Sequence, residues 1–294
     1  MPKLDVVEDH PDDNPIIDTH CHQPTEEFLH DAGGLMMEDA AEKFGTSIET
    51  DTYDSLVEEY REVGIGRTVL LGWDAETNTG NPPVPNDYVA EVRDEYPEFF
   101  VGFGSVDPHK DDCVREAVRC VEDLGLSGFK FQQIAQGFDP SAERHDHLWS
   151  TIEDLGVPVV FHGGNSTLGA CSPGGRGLQV KYGHPMLVDD VAARHPDLDI
   201  LLAHPAFPWE KEQLAVCQQK GNVYMDLSGW LPGYIDEQVL HYAGTLLQDK
   251  VMFGTDYPMI RPGKWLTSFA ETVDYDEDVL RKILFENAEA FLGL

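Results

Sequence analysis

The sequence is short of positive charge. Its 294 residues carry 20 Lys and Arg against 54 Asp and Glu, a formal charge of −34. Nucleic-acid binding leaves a basic footprint, so this balance excludes DNA and RNA as expected partners. No run approaches the ~18 uncharged apolar residues of a membrane helix, and no membrane association is expected. The opening segment, MPKLDVVEDHPDDNP, has no apolar stretch, so no secretory signal is expected and the expected location is cytoplasmic. Cysteines are few, odd in number at five, and never spaced as CxxC. That argues against a disulfide framework or a cysteine-rich zinc site. A short-period repeat and an interior linker are also missing.

What is present is acid spread along the whole chain and 41% hydrophobic residues, enough for a core. Self-repulsion of this size needs screening, and at 1 M salt the Debye length falls to ~3 Å. A high-salt cytoplasm is therefore expected, with thermal stability rising between low and molar KCl.

Short apolar runs rich in Val, Ile, Leu and Phe alternate with amphipathic segments. The runs cover 16–20, 67–73, 99–106, 128–132, 158–162, 199–204, 223–228 and 251–256. Bounded by Gly, Pro or Asp, they describe strands of a parallel sheet buried on both faces. Helical patterns cover 51–63, 86–96, 111–124, 145–155, 185–194, 209–219, 235–248 and 276–291. Eight strands, each followed by a helix, predict an α/β fold, a (β/α)8 TIM barrel. An open doubly wound sheet is the runner-up, but it usually carries a Gly-rich turn after strand one, where this chain has His20-Cys21-His22. One domain over 1–294 is expected, with 1–14 as an acidic extension. The long connections 23–50, 74–85 and 163–183 all leave C-terminal strand ends, where barrel chemistry gathers.

Reactive side chains fall at those same ends. His20 and His22 close the first run, and two-residue spacing on an extended segment puts both imidazoles on one side. A second pair, His145 and His147, sits at a helix start and reads as surface. His162 closes the fifth run, His204 the sixth and Asp256 the eighth. Asp256 could cap a helix, but a carboxylate ending an apolar strand is better explained by a metal or a paired histidine. His204 reads as a ligand or as an acid/base group. Lys130, between Phe129 and Phe131, pairs with Asp256, meets the substrate, or is carboxylated and bridges two metals; a plain barrel-interior ion pair is the alternative. Asp226 and Ser228 of the seventh run are assigned supporting roles. Arg176 and Lys181, in the loop after the fifth run, are cations placed to receive a carboxylate or to serve as surface charge. Trp73, Trp230 and Tyr257 are candidates for the wall of a planar pocket.

In order, IIDTHCH, GFKF, PVVFHGG, LLAHPA, FGTDYP and ENAEAFLGL resemble the amidohydrolase superfamily, specifically the amidohydrolase-2 group with its aminocarboxymuconate-semialdehyde decarboxylase-like enzymes. The resemblance covers nearly the whole chain. It implies a metallo-dependent hydrolase barrel with one divalent ion, Zn²⁺ or else Mn²⁺, held by His20, His22, His162 and Asp256, with His204 beside it. Two departures touch the pocket: Gln132 stands where members often have histidine, and Pro205-Ala206 where a glycine is common. The expected activity is hydrolysis of a small, carboxylated or cyclic compound by metal-bound water, with Asp256 and His204 catalytic. Non-oxidative decarboxylation on the same residues is the alternative, and a barrel that binds without catalysis is a third reading. A small-molecule substrate and a homodimer are the expected partners.

Overall fold

The computed structural model describes residues 15–44 and 49–294; the expected acidic extension lies outside the described residues. Among them are eight strands: β1 (Ile16–Cys21), β2 (Ile65–Leu71), β3 (Phe100–Phe103), β4 (Phe129–Phe131), β5 (Val159–His162), β6 (Ile200–Ala203), β7 (Val223–Asp226) and β8 (Val251–Met252). All pair in parallel, in chain order, as a ladder β1-β2-β3 and a ladder β4-β5-β6-β7-β8. Single bridges between Gly104 and Phe129 and between Cys21 and Tyr257 join the two ladders into a closed (β/α)8 barrel.

The helices that wrap it are α1 (Gly34–Phe44), α2 (Tyr53–Glu62), α3 (Asn86–Glu95), α4 (Cys113–Glu122), α5 (Asp146–Asp154), α6 (Pro185–Arg194), α7 (Glu210–Gln219), α8 (Glu237–Ala243) and α9 (Pro262–Thr272). The chain then runs through Glu277–Arg281, a π-helical turn Lys282–Glu286, and Asn287–Leu292. No helix of the described residues is long and apolar enough to cross a membrane.

Strand β4 shows how the layers form. Side chains alternate across a strand. Phe131 turns outward onto Trp149 of α5, with ring centroids 4.9 Å apart, and onto Phe161 of β5 at 5.5 Å. Lys130, between the two phenylalanines, is thereby sent to the opposite face, the barrel interior. Such aromatic clusters bury large apolar areas and add edge-to-face attraction.

Three segments differ from the sequence reading. The connection 23–50 is not a plain loop: a π-helical turn, Glu27–Ala32, and α1 occupy much of it, and bury Phe28, Leu29, Ala32 and Met37. Helix α9 follows β8 directly. The sequence reading has no helix between 256 and 276, yet Pro262 sits in the first turn of one, where its missing N–H costs nothing. Strand β8 stops after two residues, because Phe253 leaves the ladder to donate to the Ile283 carbonyl, 2.8 Å away.

Candidate active site

The barrel mouth takes its shape from irregular backbone. In β1 the step from Asp18 to Cys21 opposes the shorter step from Thr68 to Leu70 in β2, so the register shifts and the strand bulges. Bulges re-aim side chains. At the seam, His22 N–H donates to the Tyr257 carbonyl at 2.8 Å and Asp256 N–H to the His20 carbonyl at 2.9 Å. Asp256 and His204 both adopt left-handed backbone, with φ of 66° and 67°. Non-glycine residues held there carry strain that surrounding structure must impose, and such strain clusters at functional sites.

This geometry aims His20 Nε2 and His22 Nε2 at one atom, Asp256 Oδ1, at 3.5 and 3.6 Å. Both distances exceed the hydrogen-bond range. They match the ~3.4 Å between two donors that share a tetrahedral ion at ~2.0–2.1 Å. His20 Nδ1 lies 3.2 Å from Asp226 Oδ2. A carboxylate only accepts, so Nδ1 carries the proton and Nε2 presents its lone pair. That lone pair faces an Asp256 oxygen beyond hydrogen-bond range and has no hydrogen-bond partner, an arrangement that a positive charge between them, or a proton on Asp256, would relieve. Among the described residues, His20, His22 and Asp256 form one group whose donor atoms all lie within 4.8 Å of one another; His20, His204 and Asp226 form the other. The donor set fits a divalent ion of zinc or manganese type.

Burial, followed by the charge of Lys130, pushes His20 and His22 well below the ordinary imidazole range. The same two causes take His162 down to about 3, while burial and the neighbouring His20 and His162 lower His204. All four rings are therefore neutral, the form that binds metal. Burial raises the Asp256 carboxyl, partly offset by Lys130. Burial lowers Lys130 to about 8, against the pull of Asp226 and Asp256.

His162 belongs to neither donor group. Its ring packs 4.8 Å from that of His204, and its Nε2 lies 2.7 Å from the Asn165 carbonyl. A buried imidazole N–H needs an acceptor, and this carbonyl supplies one. Lys130 lies 1% exposed, with Nζ lacking any hydrogen-bond partner. Arg176 is committed elsewhere: its guanidinium and the Ser172 hydroxyl both bind Asp39 of α1, tying the loop after β5 to the helix after β1. Lys181 stacks over the Tyr182 ring. Trp73 stands beside His22 and Phe28, and lines a narrow crevice with Lys130 and Gln132. Tyr257 faces away, its ring on Tyr60 and its hydroxyl 2.6 Å from Arg261, while Trp230 sits at the rim against Phe207. His145 is packed on Phe138 and Trp149, apart from this cluster.

Two buried carboxylates organise the site. Asp226 accepts from the His204 and Ser228 backbone N–H groups, each at 2.9 Å, and from the Ser228 hydroxyl at 2.5 Å, besides His20. The Ser228 proton goes to Asp226, so the Ser228 oxygen, 2.8 Å from His204 Nδ1, accepts that nitrogen's proton and leaves His204 Nε2 as the basic atom. Asp18 accepts from Tyr60 at 2.9 Å, from the Thr255 hydroxyl at 2.5 Å, and from the His20 and Thr255 N–H groups. Burial still lifts Asp18 to about 7. The residue-by-residue sequence reading passes over Asp18, although an acid inside the apolar run IIDTH is a visible signal.

Fold and site define an enzyme class, a closed α/β barrel with histidine and aspartate donors converging at its C-terminal mouth. More particularly, the chain belongs to the amidohydrolase family, whose model matches residues 17–294. A 2-amino-3-carboxymuconate-6-semialdehyde decarboxylase of Dictyostelium discoideum is 26% identical over 247 residues, 71% of this chain. The match spans 65% of that relative's length, just under two thirds. Among solved structures, an uncharacterised TIM-barrel protein from Bordetella bronchiseptica superposes with a TM-score of 0.78 at 25% identity, covering 95% of this chain and 98% of the other. A dihydroxybenzoic acid decarboxylase from a Polaromonas species, solved with bound manganese and the inhibitor 2-nitroresorcinol, gives 0.68 at 21% identity, covering 96% and 97%.

Proposed function

We propose that this chain is a metal-dependent decarboxylase of a small aromatic or unsaturated carboxylic acid. The observation that carries the reading is the approach of His20 Nε2 and His22 Nε2 to Asp256 Oδ1, with His20 oriented from behind by Asp226. Carboxylates behind metal-binding histidines fix tautomer and direction in this way. The decarboxylase names of two relatives favour loss of CO₂ over the hydrolysis that the sequence alone suggests.

His20, His22 and Asp256 would hold one divalent ion, with His162 as a fourth ligand if its ring leaves the Asn165 carbonyl. When bound, the ion supplies a positive anchor for the substrate's carboxylate and a neighbouring oxygen. The protein then has to deliver a proton to carbon. Asp256, whose carboxyl is raised by burial, is the group placed to do so, while His204, whose Nε2 holds a lone pair, would first take up a proton from solvent before passing one on. As the carbon–carboxyl bond breaks, its electron pair stays on that carbon, the proton joins it, and CO₂ leaves. Trp73 offers a flat wall beside His22.

Elemental analysis of purified protein should find about one manganese or zinc per chain. Incubation with carboxylated phenols and unsaturated dicarboxylates should release CO₂, with one solvent deuterium at the vacated carbon. Incorporation of ¹⁸O from water without CO₂ would restore hydrolysis. Protein that binds no metal and transforms neither class would support a non-catalytic barrel.

A further inference from the structure

Lys130 is a buried cation in the barrel interior, offset only at a distance by Asp226 and Asp256 among the described residues. The residue is 1% exposed and its buried ammonium makes no hydrogen bond. Among the described residues, no carboxylate lies within ion-pair contact of it. Three unmet donors on a buried cation are costly. The groups that act on it are Asp226 and Asp256, while the cation in turn acts on the rings of His20, His22, His162 and His204. It borders the same crevice as Trp73, Ser105 and Gln132.

We propose that Lys130 is the receptor for the carboxylate of a planar anionic ligand, and that it couples anion binding to ion binding without itself being an ion ligand. This rests on the metal-dependent reading given above. Without a bound cation, Asp226 and Asp256 offset the ammonium. A divalent cation at His20, His22 and Asp256 draws on those same carboxylates and places a like charge near Lys130. An arriving carboxylate relieves that repulsion. Ion and anion therefore bind better together than apart, and each raises the other's affinity by the same factor. A carboxylated lysine bridging two metals predicts the reverse, since its loss would remove a ligand.

Calorimetric titration of metal-free protein with Mn²⁺, with and without benzoate, tests this, with benzamide as the uncharged counterpart. In the wild type, benzoate should tighten Mn²⁺ by about tenfold and benzamide should not. Lys130→Met, of similar length and apolar, should bind Mn²⁺ at least ~10-fold tighter than the wild type and ignore benzoate. Lys130→Gln gives the same readout should the methionine variant fail to fold. Loss of Mn²⁺ from either variant overturns the proposal in favour of lysine as a ligand. Unchanged Mn²⁺ affinity in the variants, or a wild type indifferent to benzoate, overturns it as well. A wild type that binds no Mn²⁺ at all breaks the metal-dependent reading itself, and so fails differently.

Discussion

The two sides of this barrel are built on different terms. From β4 to β7 the ladder keeps one unbroken register, every strand is buried or nearly so, and aromatic rings seal it to α5. On the other side β1 shifts register against β2, a bridge and three backbone hydrogen bonds join β1 to the segment after β8 in place of a regular ladder, and Asp256 turns into left-handed backbone. His20, His22 and Asp256 all lie on that second side. A regular ladder fixes side chains in parallel rows, alternating between faces. Where the ladder yields, donors from β1 and from the segment after β8 reach one point, while on the regular side His204 turns inward only after β6 ends, through its own left-handed backbone. Order on one side and irregularity on the other are thus complementary, the first holding the cylinder while the second aims its reactive groups.

Substitutions can break that division. The largest effect is expected at the seam. Asp256→Asn should lower kcat/KM by ~1,000-fold or more and reduce bound metal, while the metal-free protein keeps its fold by circular dichroism. On the regular side, Phe131→Ala should cost ~3–5 kcal/mol in denaturant unfolding, with metal per folded molecule unchanged. If it strips the metal instead, the two sides are not separable. Gly229 sharpens the comparison. Its φ is +72°, and a Cβ there would lie 2.7 Å from His204 Nδ1. Gly229→Ala should therefore reduce kcat by ~10–100-fold through displacement of His204, leaving metal content intact.

The smallest effect concerns the tie across the mouth. Hydrogen bonds from Arg176 and Ser172 hold the Asp39 carboxyl down to about 2. A carboxylate lowered on folding stabilises above its unfolded value of ~3.9, and that contribution disappears as pH falls through the folded value. Asp39→Asn should then show a slightly lower Tm than the wild type at pH 6, with the gap closing between pH 4 and pH 2. The pair is exposed, so molar salt should narrow the gap as well. A gap that widens on acidification would exclude the tie.

Much of this is readable from residue order. Lys130, His162 and His204 each stand within or directly after a run of β-formers, and such runs report strands regardless of what they pack against. The clustering at one mouth follows from barrel topology. Other features need coordinates. That Asp226 serves His20, His204 and Ser228 together depends on three strand ends meeting. The commitment of Arg176 to Asp39 depends on the fold of α1, which the sequence reading treats as loop. The direction of the His162 ring is set by a single carbonyl, that of Asn165. Helix α9 lies in a stretch that the sequence reading leaves unassigned.

The seam also has a temporal side. His20 and His22 lie on the first described strand and Asp256 just beyond the last, so the ribosome makes them roughly 10–50 s apart at ordinary elongation rates. Through that interval the nascent polypeptide displays two imidazoles with no aspartate opposite. On the proposed function, ion capture by all three would wait until the cylinder shuts, so that metal loading would report barrel closure.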